Sequence, residues 1–447
     1  MKRRMIPKTL ALSVLLIVGS AMPVFAAEAQ ETMTLQQVLD EALAKNPTLV
    51  EGQKRWEEKK NRIDIVTAQP NPKLSIMKDD IPTTTINPGQ AMMTEFSITQ
   101  EFMHPAKLKA MGNMARSEAD MNKAIWSGKR IDVYAQTKQA YYDYLYSKQS
   151  LSIGKESQLL MGQLAKLAQV NYATGMVPLQ DALKAQTEFS KMTSDLLNMA
   201  SMEAVTKAKL NNLMGRNANI DFEVKEEFAA PAPQFDIDAL VKEARANKPA
   251  ILEMQSQVEM AKNGVDVAKK QQLPDFSLSL GYKNNKEPMV EAQTDPMNPM
   301  NTTLMLGERK PTWKIEFMVM LPIWQGKNKA EVRSALANYE ASQAALQNMQ
   351  NMTELDVQMA LTEVQVDWRL IELYQNTIIP QAEQTYQAAI VGYTNGKVDL
   401  MTVLEGVNTL RNAKLGHYKA KVDYEKAVVS LEKALGKPLA SSLAPLS

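Results

Sequence analysis

Carboxylates, thioethers and two imidazoles are the side chains in this sequence with chemistry to offer. The 447 residues include 50 acidic side chains, 29 methionines, His104 and His417, and no cysteine. Without cysteine there is no disulfide, zinc–thiolate site, thiol nucleophile or lipidated cysteine. Two histidines leave almost nothing for histidine-based catalysis or metal binding, and His417, in a helical stretch beside Tyr418 and Lys419, reads as a surface residue. Thioether sulfur is a soft ligand suited to Cu(I) or Ag(I). Met289, Met297, Met300 and Met305 cluster in one segment, and Met92, Met93 and Met103 in another, so the first four are the candidate metal ligands. Methionine is also a flexible core filler and a good helix former, which describes many of the 26 that follow the first 26 residues. Glu95 and Glu316 suit a wetted wall better than a substrate site. No triad, phosphate loop or carboxylate pair has a catalytic context, so neither an enzyme nor a cofactor is expected.

The elements that position these groups begin after a secretory signal. Lys2, Arg3, Arg4 and Lys8 precede the apolar run Leu10 to Gly19, and Val24-Phe25-Ala26 offers small residues for cleavage, so residues 1–26 read as a signal peptide. Its removal leaves 47 basic against 50 acidic side chains. That near-balance gives no electrostatic footprint for nucleic acid. No later segment is apolar for the 18 or so residues of a membrane helix, so the exported chain stays in the periplasm or enters a membrane as β-strands.

One pattern occurs twice. Leu39-Asp40-Glu41-Ala42-Leu43-Ala44-Lys45-Asn46-Pro47 corresponds to Val241-Lys242-Glu243-Ala244-Arg245-Ala246-Asn247-Lys248-Pro249 at an offset of 202, which also aligns Pro72 with Pro274. Glu95-Phe96 matches Glu316-Phe317, Tyr172-Ala173-Thr174-Gly175 matches Tyr393-Thr394-Asn395-Gly396, and Met214-Gly215 matches Leu435-Gly436, all at an offset of 221. The second copy therefore carries 19 extra residues, which fall in 283–312, where Pro288, Pro296, Pro299 and Pro311 predict a loop. The resulting organisation is a first repeat over 27–216, a linker over 217–235 containing Pro231-Ala232-Pro233, a second repeat over 236–437 and a tail over 438–447.

Each repeat predicts a helical segment (35–68 and 237–270), two strands, a very long helix, a glycine turn and a last helix. From Ala106 to Val177 no proline occurs, and Ile131, Tyr134, Tyr141, Tyr142 and Leu145 recur at helical spacing. Roughly 65 helical residues reach about 100 Å, a length that calls for coiled-coil packing. The second copy repeats this from Lys327 to Tyr393 with a kink expected at Pro380. The strands, about 73–78, 94–103, 274–282 and 312–323, alternate. Trp313, Ile315, Phe317, Val319 and Leu321 share one face, and Phe96, Ile98 and Phe102 lie opposite Glu95, Ser97, Thr99 and Glu101. Alternation alone also describes a half-buried sheet packed on helices. Two features favour a bilayer: residues 312–323 have the length of a tilted membrane strand, and Trp313 and Trp324 bracket them as interfacial aromatics do. Four strands cannot close a barrel, so several chains would have to build one.

The order of elements and the local sequences resemble the TolC family of outer-membrane efflux proteins over essentially the whole mature chain. The resemblance rests on Leu373-Tyr374-Gln375-Asn376-Thr377-Ile378-Ile379-Pro380-Gln381-Ala382 and on Gly392-Tyr393-Thr394-Asn395-Gly396-Lys397-Val398-Asp399-Leu400-Met401-Thr402-Val403-Leu404-Glu405, with Ile379 and Glu405 in place of the family's usual Leu and Asp. Gln100-Glu101-Phe102-Met103-His104-Pro105-Ala106-Lys107-Leu108 is similar to the strand-to-helix corner of the heavy-metal efflux branch, with Ala106 where that branch usually has Gly.

The resemblance implies a mainly α fold with a small membrane β part: a homotrimer whose chains give four strands each to a shared twelve-stranded barrel and long helices to a periplasmic α-barrel. It implies a passive outer-membrane channel of a tripartite efflux system, with a periplasmic adaptor and an inner-membrane pump as partners and heavy-metal ions such as copper or silver as cargo. Glu95 and Glu316 would line the barrel lumen. The turns Thr174-Gly175-Met176 and Asn395-Gly396-Lys397 would contact the adaptor, and Thr402 and Glu405 would border the periplasmic aperture. A conduit for organic drugs or for type I protein secretion is the alternative. A non-transporting coiled-coil scaffold would share the helices but has no reason for lipid-type alternation.

Overall fold

The computed structural model describes residues 32–81, 83, 87–228, 236–286 and 288–439. The predicted signal peptide, the Pro231-Ala232-Pro233 part of the linker and most of the tail lie outside the described residues. The described residues begin with β1 (Thr32–Met33), α1 (Leu35–Lys45), α2 (Pro47–Thr67), β2 (Lys73–Asp79), β3 (Met93–Phe102), α3 (Pro105–Ala173) and α4 (Leu179–Leu213). They continue through β4 (Glu223–Val224), α5 (Ile237–Asn247), α6 (Pro249–Lys270), β5 (Asp275–Asn285), β6 (Pro288–Asp295), β7 (Asn298–Glu308) and β8 (Thr312–Met320) to α7 (Gln325–Leu373), α8 (Ile379–Thr394) and α9 (Leu400–Leu435).

Three departures from the sequence-based expectations have local causes. The helical segments expected over 35–68 and 237–270 each break in two, at Asn46-Pro47 and Lys248-Pro249, because a residue before proline is pushed out of the helical region. The Asn46 side chain then accepts a bond from Thr48 N at 2.9 Å and starts α2 afresh. The expected kink at Pro380 takes the form of a π-helical turn, Tyr374–Ile378, joining α7 to α8. The wider turn accommodates a ring that clashes with the carbonyl four residues back and cannot donate a hydrogen bond. The segment 283–312 is not a loop. It continues β5 and then forms the antiparallel hairpin β6–β7, from Pro288↔Glu308 to Asp295↔Asn298.

The helices pack on apolar clusters strung along the molecule, three large ones and a small one of Ala382, Leu410 and Ala413. Near the middle of α3, Tyr134, Tyr141 and Tyr144 pack with Leu39 of α1, Leu210 of α4, Phe222 and Val422 of α9. The parallel pair β1–β4 seals this cluster through Met33↔Val224. Leu240 and Ala244 of α5 cover the equivalent surface of α7 and α9, with Val357, Val364, Tyr424 and Leu431. Burying each leucine or valine side chain among these contributes about 1.5–3 kcal/mol. The third cluster lies at the far end, where Met161, Leu164 and Ala168 of α3 meet Tyr393 of α8 and Leu400, Val403 and Leu404 of α9. At the opposite end, β2, β3, β5 and β8 form one antiparallel sheet in the order β2-β3-β5-β8, and its outer edges belong to β2 and β8.

Candidate functional site

The sheet has two unlike faces. Register places Leu74, Ile98, Leu280 and Ile315 in one row and Ile76, Phe96, Tyr282 and Trp313 in the next, all on one face. Towards the helices the same face carries Gln100, Leu278 and Phe317, then Phe102, Phe276 and Val319. Among the described residues no helix covers it: Trp313 is 71% and Phe317 is 65% exposed. Its aromatics contact one another instead, Phe276 stacking on Phe317 at 5.9 Å and Tyr282 meeting Trp313 edge-on at 5.2 Å. A continuous apolar face of this size, left bare by the chain itself, calls for a covering medium or partner.

The reverse face is polar. Glu95 and Glu316 both lie on it, with Ser97 and Gly281 in the row between them, Ser279 beside Glu316 and Ser277 one row further towards the helices. Lys314 pairs with Glu316 at 2.9 Å and Lys73 with Glu101 at 2.6 Å, while Thr99 Oγ1 donates to Ser279 Oγ at 2.9 Å. Small residues leave room here. A Cβ on Gly281 would stand 3.3 Å from Glu95 Oε1.

The corner from sheet to helix is clamped by residues that pattern reading did not single out as a pair. His104 Nδ1 caps α3 by accepting from Ala106 N at 3.1 Å, and Asp275, the first residue of β5, accepts from His104 N at 3.1 Å and from Lys107 Nζ at 2.6 Å. Any signal lay in Pro274-Asp275, a carboxylate placed where a strand begins.

At the far end the two predicted turns stand side by side above their shared apolar cluster. Gly175 and Gly396 have φ of +73° and +68°, the left-handed conformation that closes a helix. Met176 N donates to Asn171 O and Lys397 N to Gly392 O, each at 2.8 Å, which completes the same closing motif in both repeats. Thr174, Gly175, Met176, Asn395, Gly396 and Lys397 are all exposed. Nothing stands within 4 Å of a Cβ on either glycine, so the turns are open to a partner.

Thr402 and Glu405 lie one turn apart on the exposed face of α9. Asp399 joins them: as the α9 N-cap it accepts from Thr402 Oγ1 at 2.6 Å and from Thr402 N at 3.0 Å. These bonds hold its carboxyl below the usual range. The D-x-x-T spacing could have revealed this capping carboxylate. The four candidate thioethers stand on the β6–β7 hairpin. Met297 and Met300, near its turn, are 96% and 97% exposed, and Met305 pairs in register with Glu291. His417 is not the plain surface residue expected from its neighbours. It is half-buried, its Nε2 has no hydrogen-bond partner among the described residues, and burial followed by the nearby Lys421 charge lowers its pKa.

Comparison with known proteins is consistent with this geometry. The chain is 23% identical over 419 residues to the cobalt-zinc-cadmium resistance protein CzcC of Cupriavidus metallidurans, covering 94% of this chain and 93% of the relative. It is 21% identical over 315 residues to the outer membrane protein TolC of Vibrio cholerae, covering 68% and 69%. Its fold is similar to the crystal structures of CusC (TM-score 0.71, 17% identity, covering 90% of this chain and 92% of that one) and of the Campylobacter jejuni outer membrane channel CmeC (TM-score 0.73, 18% identity, covering 92% and 87%). The sequence pattern of the outer membrane efflux proteins matches residues 38–216 and 240–437. The chain therefore belongs to the outer membrane efflux protein family, the TolC family of passive channels, and is not an enzyme.

Proposed function

We propose that this chain is the outer-membrane channel subunit of a tripartite efflux system and works as a homotrimer. The carrying observation is the sheet itself: four strands, one bare apolar face, one polar face and two unpaired edges. Backbone groups at an open edge are costly in lipid, and closure against further copies removes the edge. With β8 of one chain beside β2 of the next, three chains give twelve strands, an even count within the range of such barrels. The polar face with Glu95 and Glu316 then lines the lumen. The long helices form a periplasmic tunnel, with the Thr174–Met176 and Asn395–Lys397 turns meeting the adaptor and Thr402 and Glu405 bordering the aperture.

The cargo in this reading is a heavy-metal ion, copper or silver first. The likeness to a protein named for cobalt, zinc and cadmium resistance, the Gln100–Leu108 corner and the methionine excess support it. A conduit releases cargo quickly only if it holds it weakly. Met289, Met297, Met300 and Met305 accordingly act as transient thioether contacts near the exit. The test is a deletion strain grown on copper, silver, zinc, cobalt and cadmium salts and on dyes and detergents. Sensitivity to metal salts, restored by the gene, is expected. Sensitivity to the organic compounds alone assigns the channel to drugs and removes the metal reading.

A further inference from the structure

The bare face of the sheet ends in a row of cations. Two residues beyond Ile76 on the same face stands Lys78, in register with Thr94 and, across β3, with Asn284. One row further, the backbone ties Asp80, Met92 and Lys286 together: Met92 N donates to Asp80 O at 3.3 Å and Lys286 N to Met92 O at 2.7 Å. Arg309 and Lys310 lie in the short connection from β7 to β8, just before Pro311 and at the same level of the sheet. Lys78, Lys286, Arg309 and Lys310 are all exposed. Lys78 Nζ spends one bond on Pro88 O at 3.1 Å, and no carboxylate pairs with Lys78, Lys286 or Lys310 among the described residues. Among the described residues the neighbouring acids are Asp79, which register turns to the polar face, Asp80, and Glu308 at the end of β7.

Below this border the face is apolar from Trp313 to Leu321 and Ile323, a height that in a tilted strand approaches the roughly 25 Å apolar band of a membrane barrel. Tyr282 and Trp313 form the aromatic row at its upper limit. A cation one or two rows outside such a row, on the lipid side, stands at the depth of the headgroups. Rows repeat every two residues, about 6.8 Å along a strand. Ammonium groups there without a carboxylate partner among the described residues would meet the anionic groups of the lipid surface.

We propose that Lys78 and Lys286, with Arg309 and Lys310 of the neighbouring connection beside them, form a clasp for the phosphate groups of phosphorylated lipid in the leaflet surrounding the hairpin end of the barrel. The inference rests on the membrane reading above and adds its ligand chemistry: phosphate esters carried on acyl chains. The apolar rows hold the chains and the lysines hold the phosphates. The clasp fixes how deeply the sheet sits, because a shift by one row would drive Lys78 into hydrocarbon.

The test uses the full-length purified protein in nanodiscs of phosphatidylcholine doped with bisphosphorylated lipid A or with the same lipid dephosphorylated, and reads retained lipid by native mass spectrometry. The wild type should retain the bisphosphorylated lipid at least about tenfold more than the Lys78→Gln/Lys286→Gln/Lys310→Gln variant, since each cation near such a surface adds to the attraction. Both proteins should hold the dephosphorylated lipid equally. A variant with the same charge change on exposed helical positions, Lys60→Gln/Lys166→Gln/Lys209→Gln, should behave as wild type. Retention indifferent to phosphate, or lost equally in the helical variant, overturns the clasp while leaving the channel intact. A chain that enters none of these bilayers overturns the membrane reading, and the clasp with it.

Discussion

Lys107 and Asp275, 168 positions apart in the chain, form a 2.6 Å ion pair that ties the first turn of α3 to the first residue of β5. The Lys107 side chain is 5% exposed and that of Asp275 is 27% exposed. The pair joins the two repeats where sheet becomes helix. Asp275→Asn leaves a buried ammonium without its counter-charge and should cost about 1.5–3 kcal/mol, the range for hydrogen bonds to charged groups. Lys107→Met should cost less, since Asp275 keeps the His104 N–H and some water. Urea unfolding in detergent, followed by circular dichroism, measures both. Equal losses would mean that the ammonium is less isolated than its burial indicates.

A second ion pair fixes the axial register of α3 against α9. Lys138 Nζ lies 2.8 Å from Glu432 Oε2, with the two side chains 2% and 1% exposed, and Tyr134 Oη stands 3.3 Å from the same oxygen. Glu432 also accepts from Leu439 N at 3.0 Å. Breaking such a pair by removing one partner costs about 3–5 kcal/mol, because the remaining charge stays buried. Lys138→Met should show that loss, and Lys138→Met/Glu432→Leu should recover much of it. A double variant no better than the single one would show that the pair contributes attraction beyond its own desolvation.

The docking of α1 should depend on pH. Arg216 donates to both oxygens of Glu41, and Lys45 reaches the same carboxylate at 2.9 Å. The bond from Arg216 does most to hold the Glu41 carboxyl below its ordinary value of 4.5. A carboxylate depressed in the fold takes up its proton later than in the unfolded chain. Its contribution is therefore complete above about pH 4.5 and is lost as pH falls through the lower folded value. The stability gap between wild type and Glu41→Gln should be constant at neutral pH and should close in acid. A gap that stays open at pH 2 would assign the effect to packing of the side chain.

The two faces of β8 should tolerate charge differently. Phe317 lies on the apolar face and Met318 on the polar one. Phe317→Arg should cost about 2–4 kcal/mol if the position is near the bilayer midplane, whereas Met318→Arg should insert nearly as well as wild type. Outer-membrane yield of the two variants, compared directly, measures the difference. Reversed yields would exchange the lipid and lumen faces.

This difference between faces is the reason so much of the sheet was legible in sequence. A strand between two media must alternate strictly, and each of the four predicted strands lies within about three residues of its observed bounds. The β6–β7 hairpin was hidden by its prolines, which read as breakers. Pro288 opens β6, Pro296 lies in the turn, and Pro299 falls where the ladder register shifts. In a two-stranded ribbon both outer edges are unpaired, so these positions lose no ladder bond. The Lys107–Asp275 clamp was illegible for another reason. Its partners lie in different repeats, and no periodicity relates a helix start to a distant strand start. The Gly175 and Gly396 turns were readable because their requirement is local, a positive φ.

The aperture offers the most direct functional prediction. Asp399 and Glu405 lie in the first two turns of α9 beside the tip, and Glu405 shares the exposed face with Thr402. Negative charge is favourable at a helix N-terminus in any case, so the carboxylates need no channel to explain them. Threefold repetition is what would give them a further effect: three copies of Glu405 around one axis form an acidic ring that favours cations. Asp399, whose carboxyl is already stabilised as an anion by Thr402, would add three charges close by. In planar bilayers the wild type should prefer cations, Glu405→Gln should lose most of that preference at low salt, and Asp399→Asn should lose less because its charge is shared with the helix end. High salt should shrink every difference, since exposed charges more than about 10 Å apart are screened at 0.1 M. Cation preference unchanged in Glu405→Gln would place the carboxylate off the conduction path and leave it as an ordinary solvated residue of the first helical turns.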